Sequence, residues 1–161
     1  MKENQRILKT LSDLYDGRSW TDLSILQVVG DLTAEQANTK PFVQMHSIWR
    51  YLDHIVFWRE KIIAHLSGHS APQGDDPIDS APRIDKSEDA WRHSLNDLRR
   101  CQEHLMAVVS ALEEGSFEEM EETFKATNYE LIQGIIQHDA YHLGQAMIVK
   151  KVLAAESHII V

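Results

Sequence analysis

Residues 131–153 read LIQGIIQHDAYHLGQAMIVKKVL, and this stretch decides the fold class. Apolar residues recur in it every three to four positions, which is the period of an amphipathic helix. The inward face of this helix consists of Leu131, Ile135, His142, Val149 and Leu153. The pattern predicts a long helix over about residues 127–154 that turns one side toward a protein core.

Three other stretches show the same period, at about residues 3–16, 47–66 and 85–112. Ser47 is the expected N-cap of the second helix, and Asp85 and Glu88 have the spacing of a capping box at the start of the third. Four helices with one apolar face each can bury those faces only against one another. We therefore expect an all-α protein, a single four-helix-bundle domain over residues 1–161, without strands.

The connection between the second and third helices, about residues 67–85, is long and contains three of the four prolines. Loops of more than about 12 to 15 residues in compact domains are either functional covers or flexible connections. The sequence leaves both interpretations open.

Composition excludes several classes of protein. Hydrophobic residues make up 43% and charged residues 25%, which is ordinary globular usage. The formal net charge of −9 repels phosphate backbones and anionic lipid, so we expect neither nucleic acid nor a membrane as a partner. Cys101 is the only cysteine, which fits a reducing compartment. Because no secretory signal or apolar span is evident, we expect a cytoplasmic location.

The unusual feature is a set of nine histidines, and the helical phase of each indicates where it points. His138 and His142 are four residues apart, which stacks two imidazoles on one inward helical face. His54, on the second helix, lies at the border of the apolar face and can also reach the interior. Chance alone would give about half a pair at this spacing, so packed core histidines are the alternative.

The remaining histidines divide by position. His65 and His69 have the same spacing, but Gly68 ends the helix between them, so we do not expect them to stack. His93 and His104 fall opposite an apolar face and should be exposed, and His158 lies at the C-terminal end, where fraying is expected.

Other side chains have the position to support a site. The candidates are Asp139, Gln145, Tyr51, Trp58 and His46. Asp139 faces inward and can orient an imidazole on a neighbouring helix, unless it is solvated, and Gln145 lies two turns beyond His138. The aromatic residues are pocket walls or ordinary core packing, and His46 can line the mouth of the site.

Three imidazoles suit zinc, nickel, copper, iron or cobalt, and they leave at least one coordination position open. Catalytic sites keep such a position, whereas structural zinc sites are closed by four protein ligands. An ion held in this way can lower the pKa of water or of a thiol and present it as a nucleophile.

Two segments carry a resemblance to a known family. Residues 134–145, GIIQHDAYHLGQ, resemble the C-terminal motif of the DinB-like family, the DinB/YfiT-like metalloenzymes. Residues 46–59, HSIWRYLDHIVFWR, are similar to the family's other signature, and helix order agrees over essentially the whole chain. One departure is Arg50, where many relatives are expected to carry an acidic residue.

The resemblance implies a four-helix bundle with a three-histidine site for a divalent metal, often zinc or nickel, and a homodimer. By motif position the ligands would be His54, His138 and His142, while His46 belongs to the flanking pattern. Some relatives resemble transferases that use low-molecular-weight thiols such as bacillithiol, mycothiol or glutathione.

Three hypotheses follow. In the first, the chain is an enzyme whose metal activates a thiol or water for attack on a small electrophile, and the ion is released below about pH 6 as the imidazoles protonate. In the second, it is a non-catalytic module that binds a metal or small ligand. In the third, the histidines are packing residues of a plain bundle.

Overall fold

The computed structural model describes residues 2–159, with side chains through residue 155, so the side chain of His158 lies outside the described part. Within these residues six α-helices follow one another. They are α1 (Glu3–Tyr15), α2 (Ile25–Val29), α3 (Ala34–Asn38), α4 (Ile48–Leu66), α5 (Glu88–Ala111) and α6 (Asn128–Ile159). A 3-10 helix (Glu114–Glu118) and the short antiparallel strands β1 (Met120–Glu121) and β2 (Ala126–Thr127) lie between α5 and α6.

The four long helices form the expected bundle. α4 packs against α5 and α6, and α1 packs against the same two helices on its side of the bundle. Fully buried residues from all four helices meet in the core, among them Leu11, Leu52, Leu98, Leu105, Ile132 and Val149. Over the described residues, no helix is both long enough and apolar enough to cross a membrane.

The helix starts follow capping chemistry, with one correction to the sequence expectation. Ser47 caps α4 by accepting a hydrogen bond from the backbone N–H of Arg50, as predicted. The N-cap of α5 is Ser87, so the capping box predicted at Asp85 and Glu88 is wrong. Glu88 instead accepts from the backbone N–H of Ala34 at 2.8 Å, which fastens α3 to α5.

Two further differences arise from short elements. α2 begins with a capping box in which Ser24 and Gln27 bond to each other's backbone N–H, a local signal that the sequence analysis missed. The two-residue strands give a small hairpin where no strand was expected, because a pairing of this length has no alternating pattern to detect.

The long connection between α4 and α5 runs without a helix or strand from residue 67 to residue 87. Arg83 anchors it to the bundle, since its guanidinium donates to both carboxylate oxygens of Asp53, at 2.7 and 2.8 Å. Arg83 also donates to the hydroxyl of Ser94 and stacks over the Trp49 ring. Through Arg83 the segment therefore lies against α4 and α5.

A buried arginine joins three of the long helices through an ion pair and a hydrogen bond. Arg59 of α4 donates from Nε to Asp139 of α6 at 2.7 Å, and from Nη1 to the side-chain oxygen of Gln102 of α5 at 2.7 Å. Arg59 and Asp139 are both 0% exposed. Two charges away from water are stable only when they are paired and hydrogen-bonded, so this contact fixes how α4 and α6 lie against each other.

We expect Arg59→Met to lower the free energy of unfolding by about 3 to 5 kcal/mol, because it leaves the Asp139 carboxylate buried without its partner. The double variant Arg59→Met with Asp139→Leu should lose much less, since neither charge remains. Urea denaturation of the wild type, both single variants and the double variant gives the coupling energy. A double variant as unstable as the sum of the two single variants would contradict a direct pairing.

Candidate metal centre

Three histidines from two helices converge at one side of the bundle. His54 projects from α4, and His138 and His142 project from consecutive turns of α6. Their ring centroids are separated by 4.7 Å, 4.5 Å and 4.5 Å, and one nitrogen from each ring lies within 4.8 Å of the other two. The structure thus brings together the three residues that the helical phases select.

The exposure of the two α6 histidines follows their helical phase. His142, near the centre of the apolar face, is 7% exposed. The side chain of His138, at the edge of that face, is 25% exposed. The cluster therefore has a buried inner part and a side that solvent or a small molecule can reach.

An aspartate from the long connection sets the orientation of His54. Nδ1 of His54 lies 2.5 Å from a carboxylate oxygen of Asp76, and the other carboxylate oxygen accepts from the indole N–H of Trp58 at 2.8 Å. Burial alone would raise the pKa of Asp76. Hydrogen bonds from the backbone N–H of Ile78 and from the side chains of His54 and Trp58 together lower it. An ionised carboxylate only accepts, so the proton of the His54 ring is on Nδ1 and the lone pair is on Nε2.

Gln145 orients His142 in the way that Asp76 orients His54. Its side-chain oxygen lies 2.7 Å from Nδ1 of His142, and its amide nitrogen donates to the hydroxyl of Tyr141 at 3.2 Å. Because an amide oxygen accepts, Nδ1 of His142 is the protonated nitrogen and Nε2 is free. Burial is the main cause that lowers the pKa of His142 to about 4, so this ring is neutral at neutral pH in the metal-free protein.

Asp139 has a different partner from the one expected. From its inward phase we expected it either to orient an imidazole on a neighbouring helix or to be solvated, but the residue it pairs with on that helix is Arg59. Its second oxygen lies 3.5 Å from Nδ1 of His138, the preceding residue of α6. Asp139 therefore holds α6 against α4 and touches the cluster only through this longer contact.

The aromatic candidates surround the cluster. Tyr51 is 4% exposed, and its ring centroid is 5.6 Å from that of His142. Trp58 lies 6.3 Å from His54 and 6.2 Å from His138. His46 packs edge-on against Tyr51 at 5.7 Å, so Tyr51 lies between His46 and the three-histidine cluster. Burial, and then the charges of Arg50 and Lys40, lower the pKa of His46.

An apolar cavity of about 250 Å³ opens beside His138. It is lined by Trp58, Ile62, Phe124, Glu130, Leu131, Gly134, Ile135 and His138. The carboxylate of Glu130 is engaged by the backbone N–H of Thr127, so the remaining surface is mostly hydrocarbon and aromatic. A small molecule with an apolar body fits this lining, with one end at the exposed side of the cluster.

The donor set fits a single divalent ion. Zinc binds histidine nitrogen at about 2.0 to 2.1 Å, so nitrogens on one tetrahedral ion are roughly 3.3 Å apart. Nε2 of His54 and Nε2 of His138 are 2.8 Å apart, and the three ligand atoms all lie within 4.8 Å. The 2.8 Å separation is a hydrogen-bond distance, shorter than the spacing of two ligands on one ion, so an ion would replace the proton shared by these two nitrogens and move the rings slightly apart.

Other groups lie apart from this chemistry. Cys101 is 5% exposed, and burial raises the pKa of its thiol to about 12, so it is protonated at neutral pH. His65 bonds to Asn128 at 2.8 Å and His69 is exposed, so this second pair does not form a cluster, as expected. His93 and His104 are exposed, also as expected.

Sequence reasoning missed two residues near the cluster, Asp76 and Arg59. Nothing in the spacing around Asp76 pointed to His54, although the length of its loop indicated a cover. Arg59 did leave a signal, because it lies four residues after Ile55 and three before Ile62, on the apolar face of α4. A charged residue at such a position indicates a buried partner.

Comparison with known proteins agrees with this architecture. The crystal structure of a conserved protein from Enterococcus faecalis has a TM-score of 0.75 over 96% of this chain and 99% of that chain, with 15% sequence identity. At that identity the likeness shows the fold alone. No match to a curated protein was found. The sequence profile of the DinB superfamily matches residues 18–146, which is most of the chain. On this match, the chain belongs to the DinB superfamily.

Proposed function

We propose that this chain is a metal-dependent transferase, in which His54, His138 and His142 hold one divalent ion, zinc or nickel. The observation that supports the proposal is the convergence of three imidazole nitrogens within 4.8 Å. When bound, such an ion would supply Lewis-acid chemistry that lowers the pKa of a low-molecular-weight thiol, or of water, and makes it a nucleophile.

The chain's own residues would orient the ligands. Asp76 holds the Nδ1 proton of His54, and Gln145 does the same for His142, so both Nε2 lone pairs stay directed into the cluster. Partners of this kind fix the tautomer and raise the basicity of a ligand histidine. Trp58 keeps Asp76 in place with its indole N–H.

The apolar cavity supports a transfer reaction more than simple metal storage. Because it contacts His138, an electrophile bound there would have its reactive end at the open side of the cluster. Walls of Trp58, Ile62 and Ile135 keep water away from the bound molecule and favour an apolar acceptor. Cys101 takes no part, since its thiol is buried and protonated.

The first prediction for this site concerns metal content. Wild-type protein purified without a tag or chelator and then loaded with zinc or nickel should contain one ion per chain, measured by inductively coupled plasma mass spectrometry. His54→Ala should contain none, because two imidazoles alone bind weakly. His104→Ala removes an exposed histidine of α5 and should keep the ion. Full occupancy in His54→Ala would contradict the ligand assignment.

Activity is the second part of that experiment. The loaded protein is screened with thiol cosubstrates and electrophilic acceptors, and with simple esters and amides. Turnover that disappears in His54→Ala supports the transferase or a hydrolase, according to the substrate used. A stoichiometric metal with no turnover in any assay favours the alternative, a metal-binding module without catalysis.

The second prediction concerns Asp76. Asp76→Ala should weaken zinc binding about 10- to 100-fold, because His54 loses the acceptor that fixes its tautomer. Asp75→Ala is the matched control, since it removes the same charge from the adjacent, exposed position. Competition with a chromogenic zinc chelator gives both affinities. Equal affinities for the two variants would show that general charge, and not the hydrogen bond, matters.

The third prediction concerns the cavity. Gly134 lines the cavity, and a Cβ placed there meets no atom within 4 Å, so Gly134→Leu adds a side chain at the cavity wall that starts in open space and gains helix propensity. The neutral fluorescent probe N-phenyl-1-naphthylamine should bind the wild type and fail to bind this variant. Gly144→Leu, also on α6 and also in open space, is the control. Undiminished probe fluorescence in Gly134→Leu would rule the cavity out as the apolar site.

A further inference from the structure

A second cavity, also of about 250 Å³, lies at the start of α4 on the side of the long connection. Its walls are the first two turns of α4, the segment 77–83 and two lysines from flanking loops. Four basic residues line it: Lys40, Arg50, Arg83 and Lys86. The single acidic residue in the lining is Asp53.

The lining of this cavity carries an excess of positive charge. Asp53 is engaged by Arg83 through both carboxylate oxygens, so it neutralises one of the four cations. Over the described residues, no carboxylate lies within ion-pair distance of Lys40, Arg50 or Lys86. The chain as a whole carries 25 acidic and 16 basic residues. Three unpaired cations around one cavity repel one another, and an anion between them removes that cost.

Arg50 is the central residue of this group. One terminal guanidinium nitrogen donates to the backbone carbonyl of Ser80, a neutral acceptor. Its Nε is buried and has no hydrogen-bond partner within the described part of the chain. This buried Nε is closed to a ligand, but Arg50 is only half-buried and lines the cavity, so the terminal nitrogens of its guanidinium present the planar donor fork that matches an oxyanion.

We propose that this cavity binds the oxyanion group, a carboxylate or a phosphate, of a small molecule. Its volume admits a single phosphate or a short dicarboxylate. The segment that forms its wall begins at Pro77, directly after Asp76, so an anion bound here would also hold the loop that orients His54. Anion binding itself needs no metal, which separates this proposal from the proposed function.

The test uses inorganic phosphate and succinate as probes, each titrated calorimetrically into metal-free protein at low ionic strength. We expect one saturable site per chain in the wild type and about tenfold weaker binding in Arg50→Gln. Lys86→Gln, an exposed substitution, should weaken binding about threefold. Binding of phosphate alone identifies a phosphate-bearing ligand, and binding of succinate alone identifies a carboxylate.

Arg99→Gln is the control for net charge. It removes one positive charge from an exposed position of α5, where Arg99 is 3.5 Å from Glu103, and should bind like the wild type. The proposal is overturned if neither probe binds saturably, or if Arg99→Gln weakens binding as much as Arg50→Gln. If Arg50→Gln does not fold, unchanged affinity in both Lys86→Gln and Lys40→Gln overturns it.

Discussion

The buried ion pair between Arg59 and Asp139 fixes how the two helices that carry the three histidines lie against each other. It joins α4 to α6 at a point where neither helix can slide without separating two desolvated charges. His54 lies five residues before Arg59 on α4, and His138 directly precedes Asp139 on α6. Because helices are stiff over such distances, the pair that fixes their register also fixes where the imidazoles meet. The Arg59–Asp139 pair thus positions the three histidines without being one of the proposed ligands.

The long connection between α4 and α5 adds Asp76 to the cluster that the helices form. It is held by the double hydrogen bond from Arg83 to Asp53 and by the stacking of Arg83 on Trp49. With that anchor in place, Asp76 reaches Nδ1 of His54, and the segment that follows forms one wall of the basic cavity. A loop without helix or strand therefore contributes a side chain to the site, as the cover interpretation of this segment expects.

Helical phase explains what could be predicted from the sequence, and it also explains the limits. The apolar stripes predicted the four long helices, and helical phase placed His138 and His142 on one inward face, because both inferences depend only on residues a few positions apart. Phase also placed Asp139 inward, but it could not name Arg59 as the partner, since pairing depends on how two helices pack. Asp76 comes from an irregular loop, where no periodicity exists to read.

Two cavities of different chemical character lie along α4, one basic and one apolar. Arg50 and Asp53 line the basic cavity, Trp58 and Ile62 line the apolar one, and His54 lies between them along the helix. A transfer reaction needs two reactants held on either side of the activating group, and a single-substrate hydrolysis needs only one. An anionic molecule on one side and an apolar acceptor on the other would satisfy that requirement with the side chains present. For the transferase proposed above, this division would assign the apolar acceptor to the side of Trp58 and Ile62 and an anionic cosubstrate to the side of Arg50.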